Sequence, residues 1–356
     1  ENTRNQIMTI NVPWESGVKE KLINAGNIQN SGIEIALNTT PIKKKQWQWD
    51  LNFTYTRNRN KIVELSPDVT SYINLDGAAN YGNYRIASVA KVGSDYGMLM
   101  SDSWIKTDEK TGKPVVGYTN KFRTVYYKRV GTVKEVGSML PNFLGSLNST
   151  LRWKDLSLYV LFDARFGGYV ASYNSRYATA YGFSGETEKY RKGMTWTSKY
   201  ANAQDKVFTD GFIPDVVFDA GTIVTTPGGT NQDVSGMTYQ EAYEKGYVEP
   251  AHLQSAAYFK NSWGTGVIND DWFKKINYIA LREITLSYNV PTKISSYIGA
   301  KNLSLSFTGR NLAYLLNTAP NHENPESVRG TGAAQFRMRS FMPYTASYLF
   351  TLNATF

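Results

Sequence analysis

The sequence predicts an all-β fold, a transmembrane β-barrel whose antiparallel strands run up and down. Three observations predict it. Several segments alternate between apolar and polar side chains, as β-strands with two different environments do. These segments are about 9–11 residues long or slightly longer, the length that a tilted strand needs to cross a bilayer. Short and long connections alternate between them, which is typical of membrane barrels with short turns on one side and long loops on the other.

The alternating segments extend along most of the chain. In WQWDLNFTYTR at 47–57, every second residue from Trp47 to Tyr55 is apolar or aromatic, and the residues between them are polar. The other segments lie, in order, at 32–39, 143–153, 155–166, 279–290, 303–310 and 344–356. Each is expected to form one strand of the barrel.

The two sides of each strand are expected to meet different surroundings. A soluble sandwich buries its apolar side between two sheets, whereas a membrane barrel turns it outward to lipid. We expect the barrel arrangement, in which lipid contacts Leu156, Leu158, Val160 and Phe162. The lumen then contacts the other set, Ser157, Asp163 and Arg165. Four aromatic residues suit the interfacial girdles of such a barrel, namely Trp47, Trp153, Tyr288 and Tyr348.

The connections give the strands their direction. Short ones lie near Lys43, at 154–155 and at 291–301, and long ones are predicted at about 58–142, 167–276 and 312–343. The last strand therefore descends to the short-turn side, with Phe356 at the periplasmic rim. Its apolar side is expected to serve barrel closure and assembly through Tyr348, Phe350, Leu352 and Phe356. Within 58–142, the segments 92–104 and 121–130 suggest one more hairpin.

Composition excludes several classes of protein. The net charge is +9, but the basic residues are scattered and the only dense run is 43–45, so we expect no nucleic-acid partner. The absence of cysteine excludes disulfides and thiolate metal sites. The two histidines, His252 and His322, lie in no recognisable catalytic or metal motif. We therefore expect no catalytic residue, no metal, no cofactor and no enzymatic activity.

Several stretches resemble one known family. They are NAGNIQNSGIEIALNTTPIKKKQWQWDLNFTYTRNRNKIVEL at 24–65, GSMLPNFLGSLNSTLRWKDLSLYVLFDARFGG at 137–168, YIALREITLSYNVP at 278–291 and GRNL at 309–312. Together they are similar to SusC/RagA-like TonB-dependent outer-membrane transporters. Asn-Pro-Glu at 324–326 stands where the family usually has Asp-Pro-Glu.

The resemblance implies an active importer in the outer membrane of a Gram-negative cell. Such importers take up large nutrients, usually oligosaccharides and sometimes peptides, through a barrel of about 22 strands that holds a plug. A SusD-like lipoprotein covers the extracellular mouth, and energy arrives through TonB. The sequence contains no plug and no TonB-contacting segment, and we count eight clear strands, namely the seven segments above and the strand-like start ENTRNQIMTINV at 1–12. We therefore expect residues 1–356 to form the C-terminal part of the barrel.

The resemblance and the strand directions suggest where functional residues lie. Charged residues of the strands are expected in the lumen, where they pair with the plug or contact cargo, namely Asp163, Arg165, Glu283 and Arg310. Three of them are expected in its upper part, with Glu283 nearer mid-depth. Aromatic residues of the long 167–276 connection are expected to meet the lipoprotein or a polar substrate, namely Trp196, Tyr200 and Trp263. The alternative is that these aromatics only pack the connection on itself.

Other functions stay open on the sequence alone. A peptide importer of the same family differs only in its cargo. A soluble all-β binding or adhesion module would pack the apolar faces together and dissolve without detergent. A barrel enzyme would need a catalytic constellation at the extracellular rim, and a passive porin would lack a plug and TonB dependence.

Overall fold

The computed structural model describes most of the chain. The described residues are 2–3, 7–11, 17, 20–24, 26–67, 69, 71–75, 86–121, 123–180, 183, 185, 193–252, 273–328, 336–338 and 343–356. Within them, no helix combines the length and the apolar character that a membrane span requires.

Seven long strands form one antiparallel sheet in chain order. They are β1 (Asn27–Lys43), β2 (Trp47–Glu64), β3 (Phe143–Trp153), β4 (Leu156–Ser172), β5 (Phe273–Val290), β6 (Asn302–Asn317) and β7 (Ser347–Thr355). Two short strands complete it: Asn2–Thr3 pairs with β1, and Arg337–Met338 runs parallel to the end of β4. Consecutive strands are neighbours throughout, which is the up-and-down order that the sequence predicts.

The register places like side chains opposite one another across the whole sheet. At the short-turn end, Trp47 lies opposite Trp153, and Leu156 lies opposite Tyr288. This apolar side is exposed along its length, for example 55% at Leu37, 51% at Phe307 and 73% at Phe350. The opposite side is polar, since Ser146 faces both Thr54 and Asp163. The sheet therefore has one apolar face and one polar face, as a membrane barrel requires.

Most strands run further toward the long connections than the alternation predicts. β4 continues to Ser172 and β5 already begins at Phe273, so the connection between them spans 173–272. At the ends of the strands that lie toward the long connections, loop segments cover the sheet. Buried side chains of the strands and of these loops pack together there, namely Val170, Ile276, Tyr278, Ala280, Ala319 and Met338. A strand that is covered on both faces loses its apolar–polar alternation, which explains the shorter prediction.

The hairpin expected between 92–104 and 121–130 is wrong. Met98–Ser101 pairs with Ile86–Lys91 and with Lys134–Ser138. Thr124–Tyr127 pairs instead with Val115–Thr119. Neither set joins the large sheet. The first packs onto the top of the barrel strands, where Leu99 and Met139 contact Phe273 in one core cluster.

Further short elements lie outside the large sheet. Within the described residues, the remaining strands are Ile7–Asn11, Glu20–Asn24, Tyr72–Asn74, Met194–Thr197, Val207–Phe212, Val217–Phe218, Ile223–Thr225, Asn231–Asp233 and Ala251–His252. The helices described there are α1 (Tyr173–Ala180), α2 (Tyr239–Glu244) and α3 (Thr292–Ser295), with single 3-10 turns at Ala201–Ala203, Ser296–Ile298 and Pro320–His322. Helix α2 begins with a capping box in which Thr238 and Glu241 satisfy each other's backbone amides.

The first two long connections share one hydrophobic core. Val116 and Val125 of the first pack against Phe218, Tyr239 and Val248 of the second. Strand Val217–Phe218 also pairs in parallel with the start of Val115–Thr119. The two connections therefore form one folded module above the sheet.

Candidate functional site: the polar face of the sheet

Short polar side chains line the lower part of the polar face. Asn38, Asn52 and Asn148 lie directly opposite one another on three successive strands. Hydroxyl pairs bridge neighbouring strands, with 2.6 Å between Thr54 Oγ1 and Ser146 Oγ. A second pair, Thr285 and Thr308, is separated by 2.8 Å. Amides and hydroxyls of this kind can exchange hydrogen bonds with a polar cargo without presenting a net charge.

A β-bulge in β5 changes which side chains reach this face. Leu161 lies opposite Glu283 and Phe162 lies opposite Leu281, so Arg282 is an extra residue without a partner position on β4. Simple alternation would place Arg282 in the apolar set with Ile284. The bulge instead lets two consecutive charged residues, Arg282 and Glu283, lie on the polar face.

Arg282 joins two carboxylates. Its Nη2 lies 2.8 Å from Asp163 Oδ2 and 2.6 Å from Glu326 Oε1. Its Nε adds a longer contact of 3.3 Å to Asp163 Oδ2. Asp163 belongs to the barrel wall and Glu326 to the 318–346 connection, so one guanidinium ties that connection to the wall. Hydrogen bonds between ionised partners are about twice as strong as neutral ones.

Two tyrosines complete the same network. The Tyr314 hydroxyl lies 2.7 Å from Glu326 Oε2 and 3.1 Å from Asn324 Oδ1. The Tyr278 hydroxyl is 3.4 Å from both Asp163 and Glu326. Burial raises the pKa of Glu326, but the hydrogen bonds from Arg282 and Tyr314 outweigh burial and hold that pKa below its ordinary value.

Arg165 binds backbone carbonyls, and within the described residues it forms no ion pair with an acid. Its Nε donates to the Gly167 carbonyl and its Nη2 to the Met139 carbonyl, both at 3.3 Å. Gly168 leaves the room for this side chain, since a Cβ there would lie 2.5 Å from the Arg165 Nη2. Gly168 also has a φ of +87°, which glycine adopts without the steric cost that other residues carry.

Glu283 and Arg310 form a cross-strand ion pair. They lie directly opposite each other on β5 and β6, with 2.9 Å between Arg310 Nε and Glu283 Oε2. Thr285 donates a further hydrogen bond to Glu283 at 3.0 Å. The expectation that Glu283 lies deeper than Arg310 is wrong, because the register puts both at one level. The missed bulge at Arg282 and a further register shift in β6 explain the error.

The four predicted luminal charges therefore lie on one face but form three separate contacts. Sequence reasoning missed the residues that link Asp163 to the 318–346 connection, namely Arg282, Tyr278, Tyr314 and Glu326. One signal was present in the sequence: an arginine at an apolar position of an otherwise regular strand indicates a local change of register.

The loop aromatics pack within the module. The Trp196 ring lies 5.0 Å from Phe208 and 4.9 Å from His252, and its Nε1 donates to Glu249 at 3.2 Å. Tyr200 is only 7% exposed. Arg123 lies over the Tyr200 ring at 4.4 Å. These contacts favour internal packing for both residues, and Trp263 lies outside the described residues.

The apolar, aromatic-rich side of the last strand, β7, is exposed. The exposed fractions are 67% at Tyr348, 73% at Phe350, 59% at Leu352 and 72% at Phe356. β7 pairs with β6 along nine positions from Arg310↔Ser347 to Asn302↔Thr355. Among the strands that the structure describes, none pairs with the other edge of β7.

No cluster of three or more metal-binding side chains occurs in the described part of the chain. An open cavity lies between α1 and the 3-10 turn Pro320–His322. Its lining includes Asn174, Asn321, Glu323 and Tyr344. Burial raises the pKa of Glu323, although hydrogen bonds from Asn174 and Asn321 act in the opposite direction.

Comparisons with known proteins point to one group. No protein-family model matches the chain. The TonB-dependent receptor P26 of Formosa agariphila is 22% identical over 317 residues, which cover 87% of this chain and 27% of the receptor. The chain therefore spans about a quarter of the length of that relative.

Solved structures show the same fold. The RagAB peptide importer in its closed-closed state matches with a TM-score of 0.59 at 15% identity, over 100% of this chain and 32% of that chain. Another structure of the RagAB peptide transporter gives a TM-score of 0.57 at 13% identity and the same coverage. A receptor and transporters are not enzymes, in agreement with the prediction that this chain is not one. The predicted fold class and resemblance are confirmed: the chain is similar to a TonB-dependent receptor and to the RagAB transporters, and it has the β-barrel fold of those transporters.

Proposed function

We propose that the chain serves an outer-membrane transporter that actively imports large nutrients, in the first place oligosaccharides. The observation that carries this proposal is the two-faced sheet, which is apolar and exposed on one side and lined by amides, hydroxyls and paired charges on the other. Such a wall separates lipid from an aqueous passage.

The charge pairing favours uncharged, hydroxyl-rich cargo. Arg282 is balanced by Asp163 and Glu326, and Arg310 by Glu283. The remaining side chains of the polar face are mostly carboxamides and hydroxyls, for example Asn148 and Thr54. A wall of this kind suits sugar hydroxyls better than a strongly charged peptide.

The predicted luminal contacts remain part of this proposal. The Arg310 side chain is 54% exposed although it pairs with Glu283, so it stays accessible to a plug or to cargo. Asp163 and Arg165 lie closer to the long connections, beside the network that holds 318–346. The 173–272 connection, whose sequence contains Trp196, Tyr200 and Trp263, is the proposed contact for a SusD-like lipoprotein.

Membership of a larger barrel supports the membrane location. An open strand edge in lipid costs several kcal/mol for each unpaired backbone group, so the exposed edge of β7 needs a partner strand. The neighbours of known structure are about three times as long as this chain. We propose that residues 1–356 form the C-terminal part of such a barrel in a Gram-negative outer membrane, with a plug and TonB-derived energy.

Peptide import is the second candidate. It is favoured by the RagAB structures, which are described as a peptide transporter and a peptide importer. The chemistry of the polar face does not exclude it, since Asn and Thr side chains also bind peptide backbone groups.

A growth experiment separates the candidates. A strain that lacks the complete receptor gene is grown on single oligosaccharides or on peptides as sole carbon source, with the complemented strain as control. Loss of growth on one glycan supports the proposal, and loss on peptides alone supports the alternative. Growth unchanged on every glycan and peptide would contradict import as the function. A protein that purifies from the soluble fraction without detergent would instead indicate an adhesion module.

A further inference from the structure

The short-turn end of the sheet carries a dense set of lysines. The three short connections 43–46, 154–155 and 291–301 contain six lysines, namely Lys43, Lys44, Lys45, Lys154, Lys293 and Lys301. Their only carboxylate is Asp155. The longest connection, 173–272, in contrast carries more carboxylates than lysines and arginines.

These lysines form one surface, which we call the basic rim. Backbone hydrogen bonds join the turns: Lys154 N donates to Gln46 O at 3.0 Å, and Asn289 N donates to Asp155 O at 2.8 Å. At the far side, Lys301 N donates to Thr355 O at 2.6 Å. The turns are therefore held beside one another along the edge of the sheet.

The basic rim is exposed, and its one carboxylate, Asp155, forms no ion pair with its lysines within the described residues. All six lysines are exposed, and none forms an ion pair with a carboxylate within the described ranges. Lys154 lies 5.2 Å above the Trp153 ring, and Lys301 Nζ donates to the backbone oxygen of Phe356 at 3.3 Å. Nearby Asp50 is already occupied by Arg152. The positive charge of the rim therefore remains available to a partner.

Aromatic and aliphatic side chains border the rim. Trp47 and Trp153 stack with ring centres 5.6 Å apart, and each is about two-fifths exposed. In the α3 connection, Ile294, Tyr297 and Ile298 are exposed by 56%, 90% and 58%, while Ser295 and Ala300 are buried. Exposed aliphatic and aromatic residues flanked by lysines are the signature of a segment that lies in a membrane interface.

We propose that the basic rim docks onto anionic phospholipid headgroups of the leaflet that it borders. Lysine ammonium groups contact the phosphates, and Ile294, Tyr297 and Ile298 enter the boundary between headgroups and acyl chains. The occupant is lipid rather than protein because the rim continues the apolar face at Trp47, Trp153 and Tyr288. The inference rests on the proposed membrane location and is independent of which nutrient is imported.

The test uses the complete receptor, purified in a neutral detergent. Its binding to phosphatidylglycerol and to phosphatidylcholine is measured by native mass spectrometry in mixed micelles, with glycerol 3-phosphate as a soluble phosphate probe. The rim variant is K43Q/K44Q/K45Q, and the control K110Q/K134Q/K245Q removes three exposed lysines from the long connections. Heat-modifiable gel migration shows that each variant is folded.

We expect the rim variant to bind phosphatidylglycerol at least tenfold more weakly, since each lysine near an anionic surface contributes about fivefold. The control should bind as the wild type does, and glycerol 3-phosphate should not compete at equal concentration. Replacing Tyr297 and Ile298 by serine should weaken phosphatidylglycerol and phosphatidylcholine binding alike.

Equal phosphatidylglycerol binding by the rim and control variants would overturn the inference, and so would equal affinity of the wild type for the two lipids. A third contrary result would be wild-type binding that does not weaken when the salt concentration is raised from about 50 to about 300 mM. The salt titration needs no variant, so it decides even if one variant misfolds. Nutrient uptake is measured in parallel. A receptor with normal uptake but unselective lipid binding would refute lipid docking by the basic rim and leave the proposed function standing. A receptor with selective lipid binding but no uptake of any nutrient would refute the proposed function and leave the docking standing.

Discussion

The Arg282 guanidinium lies 2.6 Å from Glu326 and 2.8 Å from Asp163, so this side chain links the 318–346 connection to the barrel wall. Arg282 is the more enclosed partner, with 19% of its side chain exposed, against 39% for Glu326. The pair lies at the level where the strands pass from the two-faced sheet into the part covered by loops. A change in this contact is therefore expected to affect the loop before it affects the barrel.

Removing the guanidinium should release the connection. Arg282→Gln leaves Asp163 and Glu326 without their shared cation, and we expect a loss of about 1–2 kcal/mol after allowance for partial exposure. The measurement is amide hydrogen exchange at 318–328, which should become faster. Arg152→Gln, at the other end of the sheet, is the matched control and should leave this segment unchanged. Unchanged exchange in Arg282→Gln would contradict the tether.

Acidification should loosen the same segment. The pKa of Glu326 is lowered in the folded protein, so its contribution to stability is fully present above its ordinary value of 4.5 and is lost as the pH falls through the folded value. Hydrogen exchange at 318–328, corrected for intrinsic rate, should therefore rise between pH 7 and about pH 3. Glu326→Gln should already be loose at pH 7 and should show a smaller change, and an equal pH response in both proteins would count against this assignment.

The two faces should tolerate charge differently. Val160 lies on the apolar face opposite Ser149 and Ile284, and Ser157 lies on the polar face opposite Arg152 and Ser287. Arginine on the lipid side near mid-membrane costs about 2–4 kcal/mol, and much less on the lumen side. Val160→Arg should therefore reduce the yield of heat-modifiable, assembled receptor far more than Ser157→Arg. Similar yields would contradict the orientation of the sheet.

Gly168 should not accept a side chain. Gly168→Ala would place Cβ 2.5 Å from Arg165 Nη2 and 2.7 Å from Met139 O, at a φ of +87°. The backbone conformation alone costs about 1–2 kcal/mol for a non-glycine residue. We expect a lower midpoint of thermal unfolding for the purified receptor. Gly228→Ala, where the closest atom lies 3.8 Å away and φ is ordinary, should leave it unchanged.

Arg165 and Arg310 should have separable roles. Arg165 binds two backbone carbonyls, so Arg165→Gln should disturb the loop above it and allow leakage of small molecules through the receptor. Arg310 is exposed and pairs only across the strands, so Arg310→Gln should cost at most about 1 kcal/mol and change nutrient uptake without leakage. Leakage from Arg310→Gln, or normal uptake and no leakage in both variants, would remove these residues from the functional site.

The sequence by itself determined the fold class. Alternation in segments such as 47–57 and 143–153 predicted strands whose bounds agree with the structure at their short-turn ends. At that end the strands contact only lipid on one face and water on the other, so the polarity of each side chain indicates the face on which it lies. The alternation of short and long connections then gave the direction of each strand without knowledge of any contact.

Only the tertiary structure decided where the apolar–polar alternation of the strands ends. Above the two-faced part, loop residues such as Ala319 and Met338 cover Val170 and Ile276. These partners are distant in the chain, so no local sequence pattern predicts the contact. The bulge at Arg282 is decided in the same way, because Asp163 and Glu326 make the polar face the better place for its charge. Register and charge pairing depend on neighbours brought together by folding, whereas the periodicity of a strand depends on residues two positions apart.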